Sequence, residues 1–196
     1  HVIPTDTISI SIDKDAVLRS GIMLPDSIRH LKGEDLKNAI PDKIYISLKD
    51  MRILTKVDML MLEMLANCNW ERPLYMAISV GEVSKLKFDH YFVQEGLAFR
   101  FTPFDYKKWG NVKGDNNYAI DVERLYENVM NRYKYGGLDT PGLYLDETTL
   151  RTCYYHRRLF AQLAKELIRQ GDNTRARKVL AYAEQAVPAY NVPEIY

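Results

Sequence analysis

Thr7-Ile8-Ser9-Ile10-Ser11-Ile12 alternates polar and apolar residues without a break, and a side-chain period of two predicts a half-buried strand. Asp13 follows at once and predicts a capped helical turn through Val17 and Leu18, ended by Gly21. Periodicity is weak from Ile22 to Pro41, which predicts loop with one short helix. Ile44-Tyr45-Ile46-Ser47-Leu48 is β-branched and aromatic, the content of a second strand. Thr55-Lys56-Val57-Asp58 then resembles a capping box with Asp in place of the usual Glu. The helix it opens, through Leu65, is apolar on nearly every side, so deep burial is expected. Pro73 to Ser79 reads as a third strand, and strand, helix, strand at this spacing predicts a βαβ unit with a right-handed crossover. Phe88 to Gln94 is expected as a short helix and Leu97 to Phe104 as a fourth strand.

The pattern changes after Tyr106. Lys107 to Asn117 is rich in Gly, Asn and Lys, the chemistry of an exposed loop or boundary. Beyond it the spacing predicts helices over about residues 120–135, 147–170 and 174–187. Phe160, Leu163, Ala164 and Leu167 fall on one face; Gly171-Asp172 makes a turn; Ala176, Leu180 and Ala183 line the facing helix, and Pro188 stops it. Those offsets resemble a tetratricopeptide (TPR) repeat, whose small residues let antiparallel helices pack closely. One repeat needs neighbours to cover both faces, and the helix around Leu125 and Val129 is placed to cover one. The fold class expected is α+β. Residues 1–106 would form a small mixed sheet with a βαβ unit and covering helices, residues 107–118 a loop or boundary, and residues 119–196 a helical TPR-like region.

Composition narrows the function classes. A hydrophobic share of 46% with 27% charged residues is ordinary for a globular chain of 196 residues, and excludes disorder. The net charge of +1 gives no case for nucleic acid. No apolar run approaches the length needed to span a bilayer. The first residue is His1 rather than Met, so a fragment of a longer protein is expected. Cys68 and Cys153 are too few for a disulfide framework, and spacing leaves their pairing open.

The sharpest candidate cluster is Trp70, Arg72 and Tyr75 at the start of the third strand. An aromatic plate beside a forked guanidinium suits a sugar. The competing and favoured reading is structural, with Trp70 packed under the preceding helix and Arg72 on nearby carbonyls. Glu95 and Arg100 read either as substrate contacts or as an ion pair across Gly96, where a turn of positive φ is expected. Asp13-Lys14-Asp15 matches a metal-binding Asp-x-Asp only formally; charge at a helix N-terminus explains it better. His1, His30, His90 and His156 have no ligand spacing, Ser79 and Ser84 lack a hydrolase elbow, and no phosphate loop occurs. No catalytic residue, metal or cofactor is therefore assigned. Arg151, Arg158, Lys165 and Arg169 recur at helical spacing beside Arg157, Arg175, Arg177 and Lys178, opposed only by Glu166 and Asp172. That stripe reads as a solvated face or as a contact for anionic lipid.

Asn69-Trp70-Glu71-Arg72-Pro73-Leu74-Tyr75, then Tyr91-Phe92 and Glu95-Gly96-Leu97-Ala98-Phe99-Arg100, resembles the C-terminal region of a family of multi-spanning membrane proteins. That family is abundant in Bacteroidetes, long of unknown function, and classed with membrane glycosyltransferases; a vertebrate relative is a protein O-mannosyltransferase. The resemblance implies a non-catalytic domain on the periplasmic side of the inner membrane. It would belong to a transferase using a polyprenyl-phosphate sugar, whose catalytic carboxylate lies outside this chain. The partners implied are its own membrane-spanning region and a protein or glycan acceptor. The alternative is a TPR-like interaction module with no role in sugar transfer.

Overall fold

The computed structural model describes residues 6–49, 51, 53–80, 86, 89–112 and 118–193. His1, Ser84 and Phe88, singled out above, lie outside the described residues. The alternating run is strand β1 (Thr7–Ser11), paired antiparallel with β2 (Lys43–Ser47) so that Ile10 faces Ile44. Ile10, Ile44 and Ile46 point into a core while Ser9, Ser11 and Tyr45 stay exposed, as the period of two demands. Asp13 caps α1 (Lys14–Arg19) by accepting the Ala16 N–H at 2.9 Å, and Gly21 follows at φ +63°. Helix α2 (Gly33–Ala39) is the one short helix of the next stretch. Helix α3 (Lys56–Asn67) opens on a complete capping box: the Asp58 N–H donates to Thr55 Oγ1 and the Thr55 N–H to Asp58 Oδ2.

Strands β3 (Tyr75–Ala77), β4 (Phe92–Gln94), β5 (Ala98–Phe101) and β6 (Ala119–Ile120) form a second sheet in the order β3-β5-β4-β6. β5 is antiparallel to both β3 and β4. Cross-strand partners share a face, so Phe92 and Phe101 project together, with Phe99 two residues along β5. Trp70, Phe104 and Tyr106 extend this aromatic core, and the Tyr106 hydroxyl donates to the Met23 carbonyl.

Three expectations are corrected here. β2 and β3 lie in different sheets, so α3 joins two sheets and there is no βαβ crossover. Each strand finds an antiparallel partner instead, a choice that local spacing does not encode. Among the described side chains of α3 only Asp58 and Leu65 are buried, against the expected deep burial. The helix packs by one side, and its apolar residues are spread over all sides. The described part of the expected helix Phe88 to Gln94 is not helical throughout: a single 3-10 turn (Asp89–Tyr91) leads into β4, whose three residues are all buried. Pairing with β5 overrides the local preference.

By internal contacts the chain divides into two units, His1–Gln94 with Ala98–Ala119 and Glu95–Leu97 with Ile120–Tyr196. In the second, Asp121 caps α4 (Val122–Glu127), which runs into one π-helical turn (Asn128–Arg132) closed by the Tyr133 N–H on the Asn128 carbonyl at 2.8 Å. Helix α5 (Glu147–Arg169) starts at Asp146, which accepts the Thr148 and Thr149 N–H groups, and α6 (Asn173–Ala186) returns after Gly171. α5 and α6 form a helical hairpin, and α4 packs on α5. Leu159, Phe160, Leu163, Ala164 and Leu167 are buried in it, as are Leu125 and Val129. On α6 the buried positions are Ala176 and Val179; Leu180, expected to line the interface, faces solvent. The inward face of α6 continues from Ala176 at a step of three residues rather than four. The fold is α+β, with both Cys68 and Cys153 free thiols.

Candidate functional site

The cluster around Trp70 is built by a left-handed turn. After α3, Asn69 and Trp70 stand at φ +48° and +61°, a region that a bulky side chain seldom enters. The turn drives the indole inward, where Nε1–H donates to the Ser11 carbonyl at 2.9 Å. The ring stacks on Phe101, with centroids 5.8 Å apart and planes at 19°. Arg100 is also buried and donates from Nη2 to the Ser20 carbonyl at 2.9 Å. Arg72 behaves differently: it is exposed, and among the described residues its guanidinium reaches no carbonyl or carboxylate. Trp70, Arg72 and Arg100 line one cavity of about 10 Å³, which is the space of one water molecule and not of a sugar. Tyr75, opposite Arg100 in register, is about half exposed.

Glu95 belongs to a corner of the second unit. Its carboxylate is 3.4 Å from the Arg124 guanidinium, and its carbonyl accepts from Asn128 Nδ2 at 2.7 Å. Gly96 has φ +153°, and a Cβ there would overlap the Tyr133 hydroxyl, which accepts the Leu97 N–H at 2.9 Å. Glycine is therefore required twice, by backbone conformation and by the close approach of a ring. Arg124 and Asn128, supplied by α4 and its π turn, are not signalled by any short motif.

The Asp-x-Asp match is explained by its pairings. Asp13 is the α1 cap, Asp15 lies 2.7 Å from Lys37, and Lys14 lies 2.8 Å from Asp42. Lys37 holds the Asp15 carboxyl below its usual range, chiefly through their hydrogen bond. Among the described residues no group of His, Cys, Asp and Glu is placed to hold a metal ion.

What the first unit does present is an apolar groove of about 230 Å³ between α3 and β3, lined by Met61, Met64, Leu74, Tyr75, Met76 and Phe92 among others. Val57, Met59, Leu60 and Val80 are exposed on the same elements or next to them. Sequence reasoning placed these α3 residues in a core. The usable signal was that α3 has no polar face, yet a helix packed on one side must show the other.

In the second unit the basic stripe is more neutralised than the sequence indicated. Glu147 pairs with Arg151 at 3.1 Å, Glu166 with Arg169 at 2.8 Å, and Arg175 with Asp172 at 2.6 Å and Glu123 at 2.8 Å. Arg175 also lies over the Tyr126 ring, and the two carboxylates keep its guanidinium firmly protonated. Arg157 caps the end of α6 by donating to the Val187 carbonyl at 2.9 Å. Helix folding brings Glu123 and Glu147 to these cations, so the expected opposition by Glu166 and Asp172 alone is corrected. His156 stands edge-on to Tyr133 and Tyr135, and burial lowers its pKa below the ordinary histidine value.

Among the described residues no helix is long and apolar enough to cross a membrane. Comparison with curated proteins and with solved structures gave no match. The TMEM260-associated domain 2 family, one linked to O-mannosyltransferase-like proteins, is matched over residues 1–123. That span is more than half of the chain and holds the Trp70 corner, the second sheet and the α3–β3 groove, so the chain belongs to the TMEM260-associated domain 2 family.

Proposed function

We propose that this chain is a non-catalytic, extracytoplasmic domain of a membrane-embedded glycosyltransferase that uses a polyprenyl-phosphate sugar. In this reading the α3–β3 face seats the membrane-spanning part of the same protein or positions its acceptor, on the periplasmic side of an inner membrane. The family's link to O-mannosyltransferase-like proteins supports the sugar-transfer setting. The observation that carries the reading is the groove beside α3: a methionine-rich apolar surface, open to solvent, on a helix whose length and cap are otherwise well made. Trp70, Glu95 and Arg100 support it from the other side, since each is buried and engaged in internal bonds. Tyr75 opens onto the groove, and with Arg72 it is the candidate contact of the first set.

The test uses the intact membrane protein. Leu60→Glu and Met64→Glu together should leave this domain folded and strongly reduce sugar transfer. Full activity in that variant would remove the α3 face from the function, and transfer by the purified 196-residue chain would remove the non-catalytic reading. A second reading, an interaction module of TPR type without a role in transfer, is favoured by the helical hairpin of α5 and α6 with one side uncovered. A stable partner complex together with transfer that is indifferent to deletion of this region would select it.

A further inference from the structure

Rings from three segments of the second unit meet in one cluster: Tyr133 and Tyr135 from the stretch after the π turn, His156 and Phe160 from α5, and Tyr182 from α6. His156 and Phe160 are four residues apart and so lie on one face of α5. The imidazole stands edge-on to Tyr133 and Tyr135, with ring centroids 6.1 and 5.2 Å away. Both tyrosines engage their hydroxyls elsewhere in the unit. Tyr135 donates to the Val129 carbonyl at 2.6 Å, and Tyr133 accepts the Leu97 N–H at 2.9 Å. The Tyr133 hydroxyl also occupies the space that a Cβ at Gly96 would need. One tyrosine therefore joins His156 to the corner formed by Glu95, Gly96 and Leu97.

The Nδ1 atom of His156 is shut off from solvent and has no hydrogen-bond partner. Protonation would place a charged N–H there, and an unpaired charged donor costs more than the lone pair of a neutral ring. The neutral ring therefore carries its proton on Nε2. The groups facing it do not offset that cost. On α5, Arg157 is cationic and bound to the Val187 carbonyl at 2.9 Å, and Cys153, one turn back, is held as a thiol because burial raises its pKa. On the adjoining stretch Lys134 is exposed and cationic, and burial keeps the Tyr135 hydroxyl protonated. The π turn brings Arg132, paired with Glu127 at 3.4 Å, and α6 brings Tyr182, which reaches the cluster through Tyr135. Among the described residues no carboxylate pairs with the imidazole. We infer that His156 is an acid-operated latch, in which proton uptake by the imidazole withdraws Tyr133 from the Gly96 corner and frees the Leu97 amide. The sign is that of a base whose pKa burial depresses. The unfolded ring takes a proton near pH 6.5, so the cluster is fully held above that value and is lost as pH falls below it. The inference does not depend on whether this domain contributes to sugar transfer.

Hydrogen exchange of the Leu97 amide, read by nuclear magnetic resonance on the full chain and corrected for the intrinsic pH dependence of exchange, tests the latch. Protection should fall several-fold as pH is lowered from about 7.5 to about 5, and the His156 ring should titrate with a midpoint below 6.5. His156→Phe keeps an aromatic ring that takes no proton, so its Leu97 protection should stay constant over that range. Glu95 and Asp121 remain in this variant, and any acid effect of theirs would appear in it undiminished. His156→Gln serves the same comparison if the phenyl ring does not fit. Tyr133→Phe removes the accepting hydroxyl and should leave the Leu97 amide poorly protected at both ends of the range. A His156 midpoint at or above 6.5 would overturn the inference. So would Leu97 protection that is indifferent to pH in the native chain, that falls equally in the native chain and the His156 variants, or that survives Tyr133→Phe.

Discussion

In α3, Val57, Met59, Leu60 and Met64 are 39, 59, 63 and 56% exposed, whereas in α5 Leu159, Leu163 and Leu167 are fully buried. The two helices differ in both content and arrangement. α5 places its apolar residues at steps of three and four and gives Arg, Lys, Glu and Gln to the rest, so one packed side takes nearly all of them. α3 reads Lys-Val-Asp-Met-Leu-Met-Leu-Glu-Met-Leu-Ala-Asn, apolar at eight of twelve positions without helical spacing, and one packed side cannot take them all. Periodicity therefore reports burial better than apolar content does. An apolar excess without periodicity marks either a helix surrounded by protein or one that keeps a surface for a partner. The groove beside α3 makes the second interpretation concrete.

The largest effect is expected at the corner that follows α3. Trp70→Ala removes a buried indole, its stacking on Phe101 and its bond to Ser11, and should lower stability by about 3–5 kcal/mol in denaturant unfolding. Arg72→Ala, two residues on and exposed, should stay within about 0.5 kcal/mol. Equal losses at the two sites would mean that Arg72 has a structural role and that the contrast between buried and open positions near α3 is misplaced.

Leu163→Ala on α5 comes next, at about 2–5 kcal/mol, because the side chain is wholly buried and the cavity cannot fully collapse. Ala176→Leu probes the same hairpin from α6 in the opposite sense. Ala176 is buried on α6, which packs on α5, and three added carbons should overpack its surroundings at a cost of about 1–3 kcal/mol. An unchanged melting temperature would show that the hairpin can open without loss, which a tightly packed pair of helices does not do.

The local parts of this fold were legible in the sequence because their causes are local. The alternation of β1, the Asp13 cap, the Thr55–Asp58 box and the glycine at position 96 each follow from side-chain period, a short hydrogen bond or one backbone angle. What was not legible depends on distant residues. β3 pairs with β5 and not with β2; Arg100 bonds Ser20, 80 positions back; Glu95 meets Arg124, 29 positions on. The choice of Val179 over Leu180 was missed for a related reason. Both are apolar and adjacent, and only the orientation of α6 against α5 decides which one faces in. The candidate site divided along the same line. Trp70, expected as a packing residue, is buried and stacked on Phe101, while the open face of α3 was hidden by its own apolar content.

The smallest stability effect is expected where the comparison is most exposed to failure. Leu60→Glu replaces an apolar side chain that stands 63% in solvent, so unfolding free energy should change by no more than about 0.5 kcal/mol. A neighbouring carboxylate at Glu63 adds only weak i,i+3 repulsion, worth roughly 0.2–0.5 kcal/mol at low salt and less at high salt. The same change should lower binding of a hydrophobic dye and raise solubility, because it breaks the apolar surface beside the groove. A loss as large as that of Leu163→Ala would place Leu60 in a core after all. The α3 face would then be ordinary packing, and the contrast with α5 would lose its functional meaning.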